Sequence, residues 1–138
     1  MSRMIFVNLP VADLDAAKAF YEAIGAVNNP KLTDETGACM VFSDTICVML
    51  LTHEKFAQFT PKPIADAHAT SEVLIALSCD SRDDVDEIAG KALAAGGSKA
   101  GPAQDHGFMY SRSIEDLDGH IWEPFWMDMA AAPAPAEA

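Results

Sequence analysis

Basic residues are scarce in this chain. Nine Lys and Arg stand against 21 Asp and Glu, a formal net charge of −12 over 138 residues. Nucleic-acid phosphates demand a basic footprint, so DNA and RNA are excluded as expected partners. The same balance keeps the chain soluble and favours cationic ligands over anionic ones. Cysteine is nearly as rare: Cys39, Cys47 and Cys79 are the three, an odd number without CxxC spacing. That pattern makes neither a disulfide framework nor a zinc site. Cys47 and Cys79 lie in apolar runs and read as small buried hydrophobes, which fits a reducing compartment. No uninterrupted apolar run approaches the roughly 20 residues that span a bilayer, so no membrane partner is expected. The first residues lack the charged and long apolar segments of a secretion signal, and a cytoplasmic location is the expectation.

Catalytic signatures are missing too. No Ser/His/Asp or Cys/His arrangement is visible. Gly96-Gly97 follows a helical pattern instead of opening one, so it is no phosphate loop. His53, His68, His106 and His120 are never paired at i, i+2 or i, i+4. They read as solvated histidines, and the sequence supports no metal site and no cofactor built on them.

What the chain does have is hydrophobic substance, half of its residues, which is enough for one domain with a sizeable core. Residues 1–129 are expected to form it, in two modules at about 4–60 and 70–127. Alternation from Met4 to Val11 predicts a strand with Ile5, Val7, Leu9 and Val11 on one face and Phe6, Asn8 and Pro10 on the other. Asp13 is positioned to cap a helix carrying Leu14, Ala17, Phe20, Tyr21 and Ile24, and Gly25 stops it. Asn28-Asn29-Pro30 reads as a loop. Ala38 to Phe42 and Thr45 to Leu51 read as strands joined at Ser43-Asp44. A short helix from His53 to Phe59 and a Pro61/Pro63 connector follow. Then the order repeats. Glu72 to Cys79 is a strand, and Ser81 caps a helix with Val85, Ile88, Ala89 and Leu93 as its stripe. Gly96-Gly97 ends it, Gly101 to Gly107 is a loop, and Phe108 to Ile114 is a strand. Residues 130–138, rich in Ala and Pro, read as a flexible tail.

The closing stretch, Asp116-Leu117-Asp118-Gly119 followed by His120 to Trp126, is a turn and an aromatic strand. Strand parity puts Ile121, Glu123 and Phe125 on one face and His120, Trp122 and Trp126 on the other. Glu123 is thus a carboxylate among large apolar groups. It must be paired, bind a metal or take a proton. A structural glutamate and a functional acid/base both satisfy that pattern. Asn8, Arg112 or a cationic ligand are the expected partners.

Two β-α-β-β-(β) units in tandem predict an α+β fold: a curved mixed sheet around a cleft, with helices outside. The ordered pieces resemble the vicinal oxygen chelate superfamily, which holds glyoxalases, ring-cleaving dioxygenases and bleomycin- and fosfomycin-resistance proteins. Val11-Ala12-Asp13-Leu14 with Phe20-Tyr21 and Gly25 looks like its first strand and helix. Leu74 to Asp80 with Gly96-Gly97 looks like the start of its second module, and Asp116 through Glu123 like its closing motif. The resemblance implies a divalent metal with ligands from both modules. Those ligand positions fall here on Phe6, on Leu74, within Val48 to Leu50, and on Glu123. Only Glu123 is a ligand type, so the shared fold is expected without the shared metal.

The resemblance further implies a cleft lined by Phe6, Asn8, Met49, Leu74, Ala76, Glu123 and Phe125, with Asn8 and Glu123 as polar anchors. The expected function is binding of a small, cationic or amine-bearing molecule without a catalytic metal. The alternative is a lyase, isomerase or dioxygenase of the glyoxalase type, with Glu123 as acid/base or with a metal held by other residues. A cleft filled by its own side chains is the third reading. A homodimer is expected by analogy, and Trp122, Trp126, Met127 and Met129 either offer an apolar patch for it or, in the case of the tryptophans, cover the core under the helices.

Overall fold

A computed structural model describes residues 2–131. It has an α+β fold with curved sheets and the helices on their outer side. The expected tail lies outside the described residues from position 132 onward.

The first unit comprises β1 (Ile5–Val11), α1 (Leu14–Ala23), β2 (Val27–Asn29), β3 (Gly37–Val41) and β4 (Ile46–Thr52). Its strand order is β1-β4-β3-β2, with β1 parallel to β4 and the other pairs antiparallel. The Asp13 carboxylate accepts from the Ala16 backbone N–H and caps α1, as its spacing predicts. Gly25 has φ +110°, the left-handed conformation that ends the helix. The short α2 (His53–Ala57) then leads into the linker.

The second unit repeats the plan. It comprises β5 (Leu74–Ser78), α3 (Arg82–Ala94), β6 (Ser98–Lys99), β7 (Gln104–Asp105), β8 (Met109–Ser111), β9 (Ile114–Glu115) and β10 (Ile121–Met127). β5 runs parallel to β10, β8 and β9 pair antiparallel with β10, and β6 and β7 form the outer edge. The strand expected over Phe108 to Ile114 is split in two, and Pro124 explains the split. Both halves share one register with β10, in which Arg112 stands opposite Pro124. The Arg112 N–H donates to the Pro124 carbonyl at 3.1 Å, but proline has no N–H to return the bond.

Three other expectations need correction. Asn28-Asn29 is an edge strand and not a loop, and Pro30–Leu32 is a single 3-10 turn. Asparagine disfavours strands, but Asn28 recovers the cost by donating its amide to Thr33 Oγ1 and the Cys39 carbonyl. The loop over 101–107 contains β7, held by β8. On α3 the buried residues are Val85, Ala89 and Ala92, while Leu93 is exposed, because α3 rolls its small-residue side onto the sheet.

One core joins the two units. Leu9, Val11, Phe20, Tyr21, Met40, Val48 and Leu50 from the first unit pack with Ala89, Ala92, Ile114 and Trp122 from the second. Each large side chain removed from water contributes about 1.5–3 kcal/mol. Polar bonds then align the units. Trp122 Nε1 donates to the Tyr21 hydroxyl at 2.9 Å, and that hydroxyl donates to Asp116 Oδ2 at 2.5 Å. Asp116 Oδ1 accepts from the N–H groups of Asp118 and His120. Burial pushes the Tyr21 hydroxyl well above its ordinary range, and the Asp116 carboxylate adds to the shift. Burial likewise raises Asp116, against the opposing pull of His120 and of the hydrogen bonds it accepts. His120 Nε2 lies 2.8 Å from the Pro10 carbonyl, and Asp118 Oδ1 accepts from the Ala12 N–H, so the closing turn is tied to β1 twice more.

Trp122 and Trp126 therefore do not form an exposed patch. Trp122 is 2% exposed within this core. Trp126 is half-buried beneath the Arg82 guanidinium, which lies 5.1 Å from its ring centroid and 5.2 Å from that of Tyr110. Met127 is also half-buried, and Met129 alone of the four is exposed.

Two measurements probe this organisation. Tyr21→Phe strands a buried indole N–H and a buried carboxylate oxygen together, and should cost about 1–3 kcal/mol in urea unfolding. An unchanged midpoint would show that the two units do not depend on this link. Arg82 also grips Asp105 through two bonds of 2.9 and 3.0 Å, holding that carboxyl down at about 2. Because the folded pKa lies below the unfolded one, the stabilisation is complete above about pH 4 and fades as pH falls through 2. A carboxyl-carbon NMR titration should show the low midpoint, and Arg82→Gln should return it towards the ordinary aspartate range.

Candidate functional site

Strand register distributes the predicted site residues over two open sheet faces. On the first sheet, Phe6 stands beside Cys47, Asn8 beside Met49, and Met49 opposite Cys39. On the second, Leu74 stands beside Ile121, Ala76 beside Glu123, and Phe125 beside Ser78 and opposite Ser111. These faces point away from the helices. Val7, Leu9, Ile75 and Leu77, on the opposite faces, pack into the core as strand parity requires. Phe6 and Leu74 are 44% and 57% exposed.

Glu123 is half-buried, so it is not the enclosed carboxylate that its neighbours suggest. Its one hydrogen-bond partner among the described residues is the Ser113 hydroxyl, which donates to Oε2 at 3.4 Å. Neither Asn8 nor Arg112 supplies the expected compensation: Arg112 turns to Asp86, 3.4 Å away. The reason lies in the ladder. Ser113 occupies the position across from Glu123 in the β8/β9–β10 register, where facing side chains come close. Ser113 was legible in principle, because pairing outward from the Asp116–Gly119 turn sets these two residues opposite each other.

The donor set can be tested against the divalent metal that the resemblance implies. The corresponding strand positions carry Phe6, Met49 and Leu74, and only Glu123 offers an oxygen. A divalent ion with hard or borderline preferences takes several N, O or S donors in a defined geometry. One carboxylate with phenyl and isobutyl neighbours does not provide it. Among the described residues no three His, Cys, Asp or Glu side chains converge on a common point. His53, His68 and His106 are exposed, and the ring of His120 is directed to Pro10.

One cavity was not foreseen. It has a volume of about 280 Å³ and lies between β1, the linker and the start of β10. Val7, Leu9, Ile64, Val73 and Ile121 give it an apolar wall; Lys62 and Glu72 also border it. Of the seven predicted cleft residues, Asn8 alone reaches it. The linker has no hydrophobic period, so nothing in the sequence marked it as a wall. What seats it is Gly119, at φ +88°. A Cβ at that position would come within 2.7 Å of the His68 nitrogen and 2.8 Å of the Ala67 carbonyl carbon. Glycine thus serves both the turn and the close approach of the linker.

The comparisons with known proteins agree with this architecture. The family model described as Glyoxalase/Bleomycin resistance protein/Dioxygenase superfamily matches residues 3–123. No curated protein sequence matches the chain. Among solved structures, hypothetical protein SA1046 from S. aureus is similar at 25% identity and TM-score 0.77, covering 91% of this chain and 95% of its own. A glyoxalase/bleomycin resistance protein/dioxygenase family enzyme from Burkholderia phytofirmans PsJN is similar at 18% identity and TM-score 0.75, covering 91% and 99%. The fosfomycin resistance protein FosX from Listeria monocytogenes is similar at 19% identity and TM-score 0.67, covering 94% and 97%. The tandem units, their shared strand order and the match over nearly the whole chain make this protein a member of the glyoxalase/bleomycin resistance protein/dioxygenase superfamily.

Proposed function

We propose that this protein binds a small, amine-bearing molecule on its apolar sheet faces, without a catalytic divalent metal. The observation that carries the reading is the donor set: phenylalanine, methionine and leucine stand at three of the four positions where a metal would need ligands. Apolar walls with a few polar anchors are the usual make-up of a small-molecule site. Asn8 and Glu123 are those anchors, and Glu123 supplies the negative charge that an amine would meet. The net charge of −12 favours approach of a cation.

The alternative is a metal-dependent lyase, isomerase or dioxygenase of the glyoxalase type. It retains one supporting observation, the carboxylate of Glu123 on the closing strand. Elemental analysis of dialysed protein separates the two readings: close to one equivalent of tightly held Zn, Ni, Fe or Mn overturns the metal-independent one.

A second copy of the chain completes the proposed site. Met4, Ile5 and Phe6 at the start of β1 and Val73 and Leu74 at the start of β5 are all exposed. β1 and β5 are each paired on one side only. Exposed apolar strand edges of this kind call for a covering partner. No helix of the described residues is long and apolar enough to cross a membrane. Light scattering at micromolar concentration should give the mass of two chains, and Ile5→Lys should shift it towards one. A monomeric wild type removes the dimer from the proposal.

The role of Glu123 is tested by one isosteric change. Glu123→Gln keeps an acceptor for Ser113 and removes the charge. Against a hit from a panel of alkyl and aryl amines, affinity should fall about ten- to a hundredfold, the worth of a charged hydrogen bond of about 1.5–3 kcal/mol. The melting temperature should hardly move. Unchanged affinity would leave Glu123 with a structural role only.

A further inference from the structure

Three sulfur atoms belong to one small area of the first sheet. In the β3–β4 ladder Cys39 is paired with Met49, and Val41 with Cys47. Residues two apart on a strand share a face, so Cys39, Cys47 and Met49 all lie on the side away from α1. Cys39 and Met49 are direct cross-strand neighbours, and Cys39 and Cys47 are diagonal ones. Burial pushes the Cys39 thiol up, and the neighbouring Cys47 thiol pushes in the same direction. Both cysteines are free and buried, and Met49 is half-buried on the open side. The remaining cross-strand neighbours of these three are Phe6, Asn8, Asn29 and Val41, so no carboxylate or imidazole stands across from them.

This arrangement fits poorly with a disulfide. Diagonal pairs on antiparallel strands have Cα atoms about 7–8 Å apart, beyond the usual disulfide span of roughly 4.4–6.8 Å. The side chains can bring the sulfurs together, but the backbone keeps them from bonding. Two thiols with a thioether, and no carboxylate or imidazole among those neighbours, is instead a donor set for a soft metal ion. Cys39 and Cys47 lie outside the four positions tested above, and Met49 is common to both groups.

We propose that Cys39, Cys47 and Met49 form a binding site for one soft monovalent cation of the Cu(I) class. Binding converts the two thiols to thiolates and releases two protons to solvent; no electron is transferred. The ion enters from the open face past Met49 and Phe6. Glu123 stands on the other sheet, so loss of amine binding in Glu123→Gln leaves this site intact.

The test is anaerobic titration of the reduced full-length chain with Cu(I), in competition with the chromogenic chelator bathocuproine disulfonate. One Cu(I) per chain should be withdrawn from the chelator, with a sulfur-to-copper charge-transfer band in the ultraviolet. Cys39→Ala and Cys47→Ala should each weaken binding about a hundredfold or more, and Met49→Leu, which preserves volume, about tenfold. Cys79→Ala, on the other sheet, should bind as wild type. Circular dichroism of each variant checks folding; should the cysteine variants unfold, Met49→Leu together with Cys79→Ala still decides the matter. Failure of the wild type to take Cu(I) from the chelator overturns the site. So does full affinity in Met49→Leu and Cys39→Ala, or loss of affinity in Cys79→Ala.

Discussion

The Tyr21 hydroxyl is the point on which this fold turns. It is buried, accepts from the indole of Trp122 and donates to the carboxylate of Asp116. Tyr21 belongs to the first unit, and Trp122 and Asp116 belong to the second. A hydroxyl has one proton to give, so the chain of bonds has a single sense, from indole through phenol to carboxylate. That sense sets where β10 lies against α1. Hydrophobic burial drives the units together, but apolar contacts are tolerant of small rotations, whereas a buried polar chain is not. The remaining ties, His120 to Pro10 and Asp118 to Ala12, run from the same turn to the end of β1. One short stretch of sequence thus aligns both halves.

This dependence explains why so much of the fold was legible. Asp13 and Ser81 cap α1 and α3 as their positions predict, and the long apolar strands β1, β4 and β10 alternate cleanly. The tandem order was readable because each unit carries the same cap and glycine stop. The misread parts share a cause. β2 and β7 are edge strands of three and two residues, made of Val27-Asn28-Asn29 and Gln104-Asp105. Their pairing comes from the neighbouring strand and from side-chain bonds such as those of Asn28, not from local propensity. Leu93 was misassigned because helical spacing admits both 92 and 93, and only packing decides between them. Ala92 faces inward, and Leu93 is left in solvent.

The candidate site was legible in a narrower way. Parity puts Phe6 and Asn8, Leu74 and Ala76, and Glu123 and Phe125 on shared faces, and the ladders set Asn8 beside Met49 and Ala76 beside Glu123. It could not tell how open those faces are. The expectation of a buried Glu123 treated apolar neighbours on one strand as if they formed an enclosure. Ile121 and Phe125 flank Glu123 along the strand, but water reaches it from the open side. The sequence left Trp122 and Trp126 open between an interface patch and cover for the core; Trp122 closes the core and Trp126 is covered by Arg82. Tertiary partners decide exposure, and sequence neighbours do not.

The membership of this chain in its superfamily and the apolar residues at the positions where the resemblance implies ligands have a common structural basis. The scaffold is maintained by the helix-side faces: Leu9, Val48, Leu50, Ile114 and Trp122 pack there. The opposite faces contribute little to that core and are free to vary. Phe6, Met49 and Leu74 therefore stand on the open side without disturbing the packing that defines the fold. Desolvating a carboxylate without a partner is costly, which constrains what can replace a metal beside Glu123. Ser113 meets part of that need with a neutral donor at 3.4 Å, and the open face leaves the rest to water or to a ligand cation. A strong structural ion pair would neutralise the charge and leave nothing for a ligand to gain. The weak partner and partial exposure of Glu123 leave its carboxylate within reach of whatever meets the open face.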